Sequence, residues 1–155
     1  MSEPPRVTLA PVAERDLDAL FAIFADYWAE LDAADPLTPL PYGVPEYRRA
    51  LLDDREGREL LWLLVGGTRA GFAFTRIDED WPDNALVAEV SEFYVLPEHR
   101  RGGIGRAAVA ALAERCRAAG ATRLEADVLS GNAAALAFWR ACGLAERRRS
   151  LFAHL

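Results

Sequence analysis

A stretch of seven residues, 100–106, holds three glycines and three arginines in the order Arg-Arg-Gly-Gly-Ile-Gly-Arg. Glycine lets the backbone approach a ligand without a Cβ collision and adopt unusual φ/ψ angles. The stretch leads from a predicted strand, residues 86–95, into a predicted helix, residues 106–119. The unpaired N–H groups and the positive dipole end of that helix point at the same space. Together these features predict a phosphate site, with charge added by Arg100, Arg101 and Arg106.

A dinucleotide-binding interpretation of this stretch is available but disfavoured. Residues 103–108 fit the pattern G-x-G-x-x-A, and Glu125 follows about twenty residues later. In that fingerprint the strand runs almost directly into the first glycine, whereas residues 96–102 intervene here. Only about 50 residues follow the loop, which is too few for the remaining strands of a doubly wound sheet.

The composition excludes several chemistries. All 18 basic residues are arginine, so the chain has no lysine for a Schiff base, a general base or a P-loop. The 24 acidic residues give a net charge of -6, which argues against nucleic acid as a partner. Cys116 and Cys142 are the only cysteines, and neither they nor the two histidines cluster. We therefore expect no metal site, no disulfide framework and a reducing, cytoplasmic location.

Membrane association is not expected either. The longest apolar runs, residues 60–65 and 107–113, are far shorter than the ~20 residues that a membrane span needs. The N-terminus begins Met-Ser-Glu-Pro-Pro-Arg with no apolar core behind it, which does not fit a signal peptide.

The predicted elements alternate as β-α-α-β-β-β-α-β-α-β. Apolar residues at three- and four-residue spacing indicate the first helix, and Gly66-Gly67 suits a hairpin turn between two strands. Hairpin-linked strands before a β-α-β unit favour a mixed sheet in one α/β (α+β) domain, residues 1–155. The predicted strands are 6–10, 59–65, 69–77, 86–95, 122–128 and 144–152, the helices 14–31, 45–55, 106–119 and 133–142, and the loops 33–43, 78–84 and 97–103.

Two motifs in the second half of the chain resemble one family. Residues 100–105 fit R-x-x-G-x-G and follow a strand that ends Val95-Leu96-Pro97. A later helix carries the spacing N-x-x-A-x-x-hydrophobic in Asn132, Ala135 and Phe138, followed by Gly143-Leu144. Both motifs, spread over residues 86–144, resemble the GNAT superfamily of acyl-CoA-dependent N-acetyltransferases. The resemblance implies acetyl-CoA as acyl donor and helices on both faces of a mixed sheet.

The resemblance also implies where acetyl-CoA would bind. The fourth and fifth strands would splay apart in a V, and the pantetheine arm would replace the missing strand neighbour. The N–H of Val95 would hold the arm, and the N–H of Phe93 would polarise the thioester carbonyl. The pyrophosphate would lie on the amides of residues 101–106. The implied cofactor-binding residues are Phe93, Val95, Arg100, Arg101, Gly102, Gly103, Ile104, Gly105, Arg106, Asn132, Ala135, Phe138 and Trp139.

An alkylammonium acceptor must lose a proton before it attacks the thioester, and a nearby carboxylate can accept it. Glu89 matches the family position that often carries a glutamate base. Glu92 is the second choice, because strand alternation predicts that it faces away from Glu89, Phe93 and Val95.

The group that protonates the leaving thiolate is left open. Where many family members have a tyrosine, this chain has Trp139, whose indole N–H is a hydrogen-bond donor and not a usable acid. We expect Trp139 to pack against the cofactor arm or the core. Tyr94, Ser130 or water could donate the proton, or the thiolate could leave unassisted.

Acids and aromatics in the variable regions suit a small cationic amine, through charge steering and cation–π contact. Polyamines, aminoglycosides, amino acids and peptide N-termini all fit this description. A non-catalytic acyl-CoA sensor of the same fold is the alternative function. Pairing into a homodimer through the last strand or the early helices is compatible with the sequence. The predicted substrate-binding residues are Tyr27, Trp28, Tyr42, Asp78 and Trp81.

Overall fold

A computed structural model describes residues 2–36 and 40–155 of the chain. These residues contain five β-strands, four α-helices and two short 3₁₀ turns, Glu14–Asp16 and Pro97–His99. In chain order the elements are β1 (Thr8–Pro11), α1 (Leu17–Ala34), α2 (Val44–Asp53), β2 (Arg58–Val65), β3 (Thr68–Glu79), β4 (Leu86–Val95), α3 (Ile104–Ala118), β5 (Arg123–Ala126) and α4 (Ala133–Ala141).

The strands form one sheet in the order β1-β2-β3-β4-β5. The first four are antiparallel neighbours, and β4 and β5 run parallel. Gly66 and Gly67 join β2 to β3 with φ of 56° and 80°, the left-handed conformations that a tight hairpin requires. Helix α3 makes the longer crossover that parallel strands need. The predicted mixed sheet and α+β class are confirmed.

Helices cover both faces of the sheet. On one face α1 and α2 pack around Phe24, whose buried ring lies 4.8 Å from Tyr47 and 5.7 Å from Phe74. On the other face α3 and α4 pack through a second apolar cluster that includes Leu112 and Trp139. Two separate cores arise because side chains alternate across the sheet along every central strand.

The register of β4 against β3 shifts by one residue at Ser91. Phe74 pairs with Glu92 and Thr75 pairs with Val90, so Ser91 has no partner on β3. Such a bulge adds one residue to a strand and bends it locally. Because side chains alternate along a strand, the extra residue reverses the alternation for the rest of β4.

The bulge overturns the predicted separation of the two glutamates. Val90 packs with α3 and α4, so Glu89, its neighbour, lies on the face of α1 and α2. Glu92 lies on that same face, where it contacts tyrosines of both helices. Phe93 and Val95 pack with α3 and α4 on the opposite face. The prediction that Glu89 shares a face with Phe93 and Val95 was wrong, because simple alternation does not count an inserted residue.

Strands β4 and β5 separate part-way along their length. They are paired from Val87 and Arg123 to Val90 and Ala126, where β5 ends, while β4 continues to Val95. The strand predicted for residues 122–128 is therefore shorter than expected. The V-shaped opening expected between the fourth and fifth strands is present.

The predicted last strand does not form. Residues 144–152, all within the described part of the chain, are assigned to no strand, and from residue 145 onward every side chain is exposed. This segment contains Arg147, Arg148 and Arg149, which pair with Glu125 and Glu146. Its charged side chains bury too little apolar surface to fix it as a sixth strand.

Other boundaries differ by a few residues. Helix α1 begins at Leu17 and continues to Ala34, so the loop predicted for residues 33–43 starts later. Residues 37–39 of that loop lie outside the described residues. Helix α3 begins at Ile104, two residues before the predicted start. Strand β3 reaches Glu79, which places Asp78 on a strand and not in a loop.

Replacement of Phe24 by alanine should destabilise the fold strongly. The ring is fully buried and stacks against aromatic rings of α2 and β3, so its loss leaves a cavity. We expect the free energy of unfolding in urea to fall by about 3–5 kcal/mol. Trp81→Ala is the matched control, because Trp81 is 85% exposed and should change stability by about 0.5 kcal/mol or less. Equal losses in the two variants would contradict this description of the core.

Candidate active site

The loop before α3 presents unpaired backbone N–H groups. Arg101 and Gly103 adopt left-handed φ of 68° and 81°, and α3 begins at Ile104 without a side-chain cap. The amide of Ala107 makes the first hydrogen bond, to the carbonyl of Gly103 at 3.0 Å. Among the described residues no group accepts a hydrogen bond from the amides of residues 104–106. Aligned amides at the positive end of a helix dipole are suited to bind an anion.

The arginines of this loop have different roles. Arg100 donates to the carbonyl of Val95 at 2.8 Å and pairs with Glu30 at 2.9 Å, so it ties the end of β4 to α1. Arg106 donates to the last carbonyl of α4 at 2.6 Å. Arg101 is exposed. Two of the three predicted phosphate arginines therefore already bind protein groups, and the anion site consists mainly of backbone amides.

The glycines of the loop also differ. A Cβ on Gly105 would lie 2.9 Å from Cε2 of Phe138 and 3.6 Å from Cγ2 of Val95, so only glycine fits between α3, α4 and β4. Gly103 is needed for its positive φ. Gly102 has neither constraint, since nothing lies within 4 Å of a Cβ placed there.

The predicted cofactor residues of α4 lie beside β4. Asn132 caps the helix, and its side-chain oxygen accepts from the amide of Ala135 at 3.1 Å. The rings of Phe138 and Trp139 lie 5.5 and 5.4 Å from the ring of Phe93. Trp139 is 8% exposed, so its indole belongs to the core next to the opening. The structure thus brings this set together along one wall of the opening.

Strand β4 has amides that face the opening. Leu96 donates to β3, through the carbonyl of Ala70 at 2.8 Å. Because N–H groups alternate in direction along a strand, those of Val95 and Phe93 point away from β3, toward the side where β5 has ended. On that side the amide of Phe93 also meets the hydroxyl of Tyr27 and lowers the pKa of Tyr27. These amides are the ones predicted to contact an acyl donor.

Glu92 is held by two tyrosines, and we call Tyr27, Tyr47 and Glu92 the tyrosine–glutamate cluster. Tyr27 of α1 donates to Oε2 of Glu92, and Tyr47 of α2 donates to Oε1 at 2.8 Å. Burial raises the pKa of Glu92 and the charge of Glu89 adds to that rise, while the two hydrogen bonds oppose it. Burial and the charge of Glu92 raise the pKa of both tyrosines, so their hydroxyls keep their hydrogens.

A groove of about 390 Å³ lies along α2 beside this cluster. Trp28 stacks on Tyr42 with the ring centroids 5.8 Å apart and donates its indole N–H to the Tyr42 carbonyl at 3.2 Å. Tyr47 lines the groove and also reaches Glu92, so it connects the two. Sequence reasoning did not select Tyr47, because no local pattern marks a contact across 45 residues. The groove is lined by Tyr42, Glu46, Tyr47, Ala50, Leu51, Asp54 and Arg58.

The other predicted substrate residues lie elsewhere. Asp78 pairs with Arg76 at 2.8 Å in a shallow acidic cleft that also contains the exposed side chain of Glu89. Trp81 is 85% exposed and lines neither cleft. The structure therefore gathers Tyr27, Trp28 and Tyr42 near α1 and α2 but does not bring Asp78 and Trp81 to them.

Cysteine chemistry is not favoured by the surroundings of the two thiols. Burial raises the pKa of Cys116 and of Cys142, and a protonated thiol is a poor nucleophile. Over residues 2–36 and 40–155, no group of three or more His, Cys, Asp or Glu side chains is placed to hold a metal ion. No helix in the same ranges is long and apolar enough to cross a membrane.

Comparisons with known proteins identify the family of this chain. The model of the acetyltransferase (GNAT) family matches residues 17–144. The chain is also 32% identical over 134 residues to aminoglycoside N(6′)-acetyltransferase type 1 of Stenotrophomonas maltophilia. That alignment covers 81% of this chain and 82% of the relative.

Solved structures share the fold. A Bacillus subtilis protein described as an acetyltransferase superimposes with a TM-score of 0.74 at 18% identity, over 96% of this chain and 98% of its own. An aminoglycoside acetyltransferase from an uncultured soil metagenomic sample, in complex with sisomicin, gives a TM-score of 0.67 at 19% identity. It covers 96% of this chain and 95% of its own. Because the family model spans most of the chain and the relative matches it at 32% identity, the protein belongs to the GNAT family of acetyltransferases.

Proposed function

We propose that the protein transfers an acetyl group from acetyl-CoA to a primary amine of a small polycation, without a covalent enzyme intermediate. The observation that carries this proposal is a set of amides without a backbone partner. They are those of Phe93 and Val95 in the opening beside β4 and those of residues 104–106 at the start of α3. The first two amides suit the pantetheine arm, and the helix amides suit the pyrophosphate.

The Phe93 amide would also stabilise the reaction's negative charge. A backbone N–H aimed at the thioester oxygen supports the oxyanion that forms when the amine attacks. Rings of Phe93, Phe138 and Trp139 line the neighbouring wall, which keeps water from this side of the opening. We place the reaction in the cytoplasm, in keeping with the two free thiols.

We propose Glu92 as the general base, with Glu89 as the alternative. Two reasons favour Glu89 in the sequence, its match to the family position and the predicted orientation of Glu92, and the bulge at Ser91 removes the second. Glu92 lies on the part of β4 that no longer pairs with β5 and is adjacent to Phe93. Its raised pKa suits proton transfer near neutral pH. Glu89 is exposed and lies where β4 and β5 are still paired, with Glu125 opposite. There it can attract an incoming ammonium group.

The acceptor class follows from the groove along α2. Tyr42 and Tyr47 offer aromatic faces and Glu46 offers negative charge, a combination that suits cationic amines, while Asp54 is paired with Arg58 and Arg76. The Stenotrophomonas maltophilia relative is named for acetylation of aminoglycosides at N(6′). We therefore propose an aminoglycoside or a polycation of similar charge as the acceptor.

Gly103→Ala should weaken acetyl-CoA binding. Alanine at φ of 81° is strained by about 1–2 kcal/mol, and relief of that strain would turn the helix amides away from the pyrophosphate. We expect KM for acetyl-CoA to rise about tenfold in steady-state assays of thiol release. Gly102→Ala, at a position with open space and no positive φ, is the control and should stay within about twofold of wild type. Equal KM in the two variants would remove the loop from the donor site.

Aminoglycosides should be acetylated at the 6′ position. With acetyl-CoA as donor, we expect thiol release with a 6′-amino aminoglycoside and only hydrolysis with the same compound carrying a 6′-hydroxyl.

Glu46→Gln should raise KM for the amine about threefold, because one groove carboxylate is lost, while Asp53→Asn on the exposed side of α2 should not. Thiol release at similar rates with polycationic and singly charged amines would contradict the proposed acceptor class. Binding of acetyl-CoA with no release for any amine would favour the sensor alternative.

The two glutamates should differ in their pH profiles. A base works only when ionised, so activity falls as pH drops through its pKa, here raised above the usual value near about 4.3. We expect Glu92→Gln to lower kcat/KM about 100-fold or more and to abolish this acidic limb. Glu89→Gln should keep the acidic limb and lower kcat/KM by less than about tenfold. The reverse pattern would assign the base to Glu89.

A further inference from the structure

We propose that Tyr27 protonates the departing CoA thiolate and that Glu92 returns a proton to Tyr27, so that the tyrosine–glutamate cluster carries both proton transfers of the reaction. The inference rests on the proposed function. It names the group that the sequence left open, and it places that group on α1 and not on α4.

The position of the Tyr27 hydroxyl carries the proposal. It donates to Oε2 of Glu92 and faces the amide of Phe93, the group proposed to bind the thioester oxygen. The oxygen and sulfur of a thioester are bonded to the same carbon. The sulfur is therefore two bonds from that oxygen, and a hydroxyl beside the amide that holds the oxygen lies on a side that the sulfur can reach.

Other candidate donors are less well placed. Tyr94 directs its hydroxyl to Glu30 at 3.2 Å, and its ring lies under the guanidinium of Arg100, at the loop end of β4. Ser130 is exposed in the loop that follows β5. The indole of Trp139 cannot release a proton usefully. Of these groups, only Tyr27 contacts both the Phe93 amide and a carboxylate proposed as base.

The proton balance closes without an added reactant. The neutral amine, formed when the ammonium group has released its first proton to solvent, bonds through nitrogen to the acetyl carbon and gives its second proton to the Glu92 carboxylate, and the carbon–sulfur bond breaks. The sulfur takes the hydroxyl proton of Tyr27, and Tyr27 takes the proton that Glu92 has received. One proton has then moved from nitrogen to sulfur, and both side chains are back in their starting states.

The surroundings of Tyr27 require that the two transfers be coupled. Burial raises the pKa of Tyr27, and the charge of Glu92 adds to that rise, so a free tyrosinate is strongly disfavoured. Once Glu92 has been protonated, it is a neutral carboxylic acid beside the Tyr27 hydroxyl. It can then give a proton to Tyr27 as Tyr27 gives up its own. The charged or titratable groups that bear on Glu92 are Tyr27 from α1, Tyr47 from α2, Arg58 from β2 and Glu89 from β4.

Tyr27→Phe and Tyr47→Phe form a matched pair for the test. Each removes one hydrogen bond to Glu92 and keeps an aromatic ring in the core, so both should raise the pKa of Glu92. Only Tyr27→Phe also removes the proposed donor. We expect kcat to fall about 100-fold in Tyr27→Phe. The KM for acetyl-CoA and the affinity for CoA measured by calorimetry should be unchanged. In Tyr47→Phe the acidic limb should move to higher pH, and the fall in plateau kcat should be at least about tenfold smaller than in Tyr27→Phe.

A proton inventory on wild-type enzyme gives a second test that needs no variant. In mixtures of H₂O and D₂O, a plot of kcat against the deuterium fraction should bow below a straight line, because two protons move in one step. A linear dependence overturns the relay. Tyr27→Phe with near-normal kcat, or equal losses in the two tyrosine variants, overturns the role of Tyr27. Wild-type enzyme that binds acetyl-CoA but acetylates no amine overturns the proposed function itself.

Discussion

One inserted residue in β4 determines the geometry on which the rest of the site depends. Ser91 has no partner on β3, and the alternation of side chains reverses beyond it. Glu92 is thereby turned toward α1 and α2, while Phe93 and Val95 turn toward α3 and α4. The parallel pairing with β5 also stops at Val90, one residue before the bulge. A strand that alternated regularly from Val90 would turn Glu92 toward α3 and α4, away from both tyrosines.

The core and the candidate site share residues, which gives the site its rigidity. The rings of Tyr27 and Tyr47 pack around Phe24 in the larger core, while their hydroxyls reach the same carboxylate. Side chains held by core packing keep functional groups in place better than side chains on loops do. The loop before α3 is stabilised in a similar way. Its arginines bind carbonyls of β4 and α4, which leaves the backbone amides to receive an anion.

Much of the fold could be predicted because its signals are local. The glycine pair in the β2–β3 hairpin, the helical spacing in α1 and the glycine-rich loop before α3 each occupy a few consecutive residues. The prediction of a strand at residues 144–152 was wrong because this segment is rich in charged side chains and stays exposed from residue 145 onward, and its exposure is a property of the tertiary structure. The substrate residues were predicted from composition, and only those near α1 and α2 proved to be neighbours.

By itself, the sequence determined the order of the nine strands and helices from β1 to α4, the mixed sheet and the glycine-rich loop that leads into α3. These depend on short-range conformational preferences, which neighbouring residues control directly. Only the tertiary structure decided which carboxylate meets which hydroxyl. Tyr27 and Glu92 are 65 residues apart, and their contact depends on the cross-strand register at the bulge and on the packing of α1. Register is a relation between two strands, so one strand's own residues do not contain it.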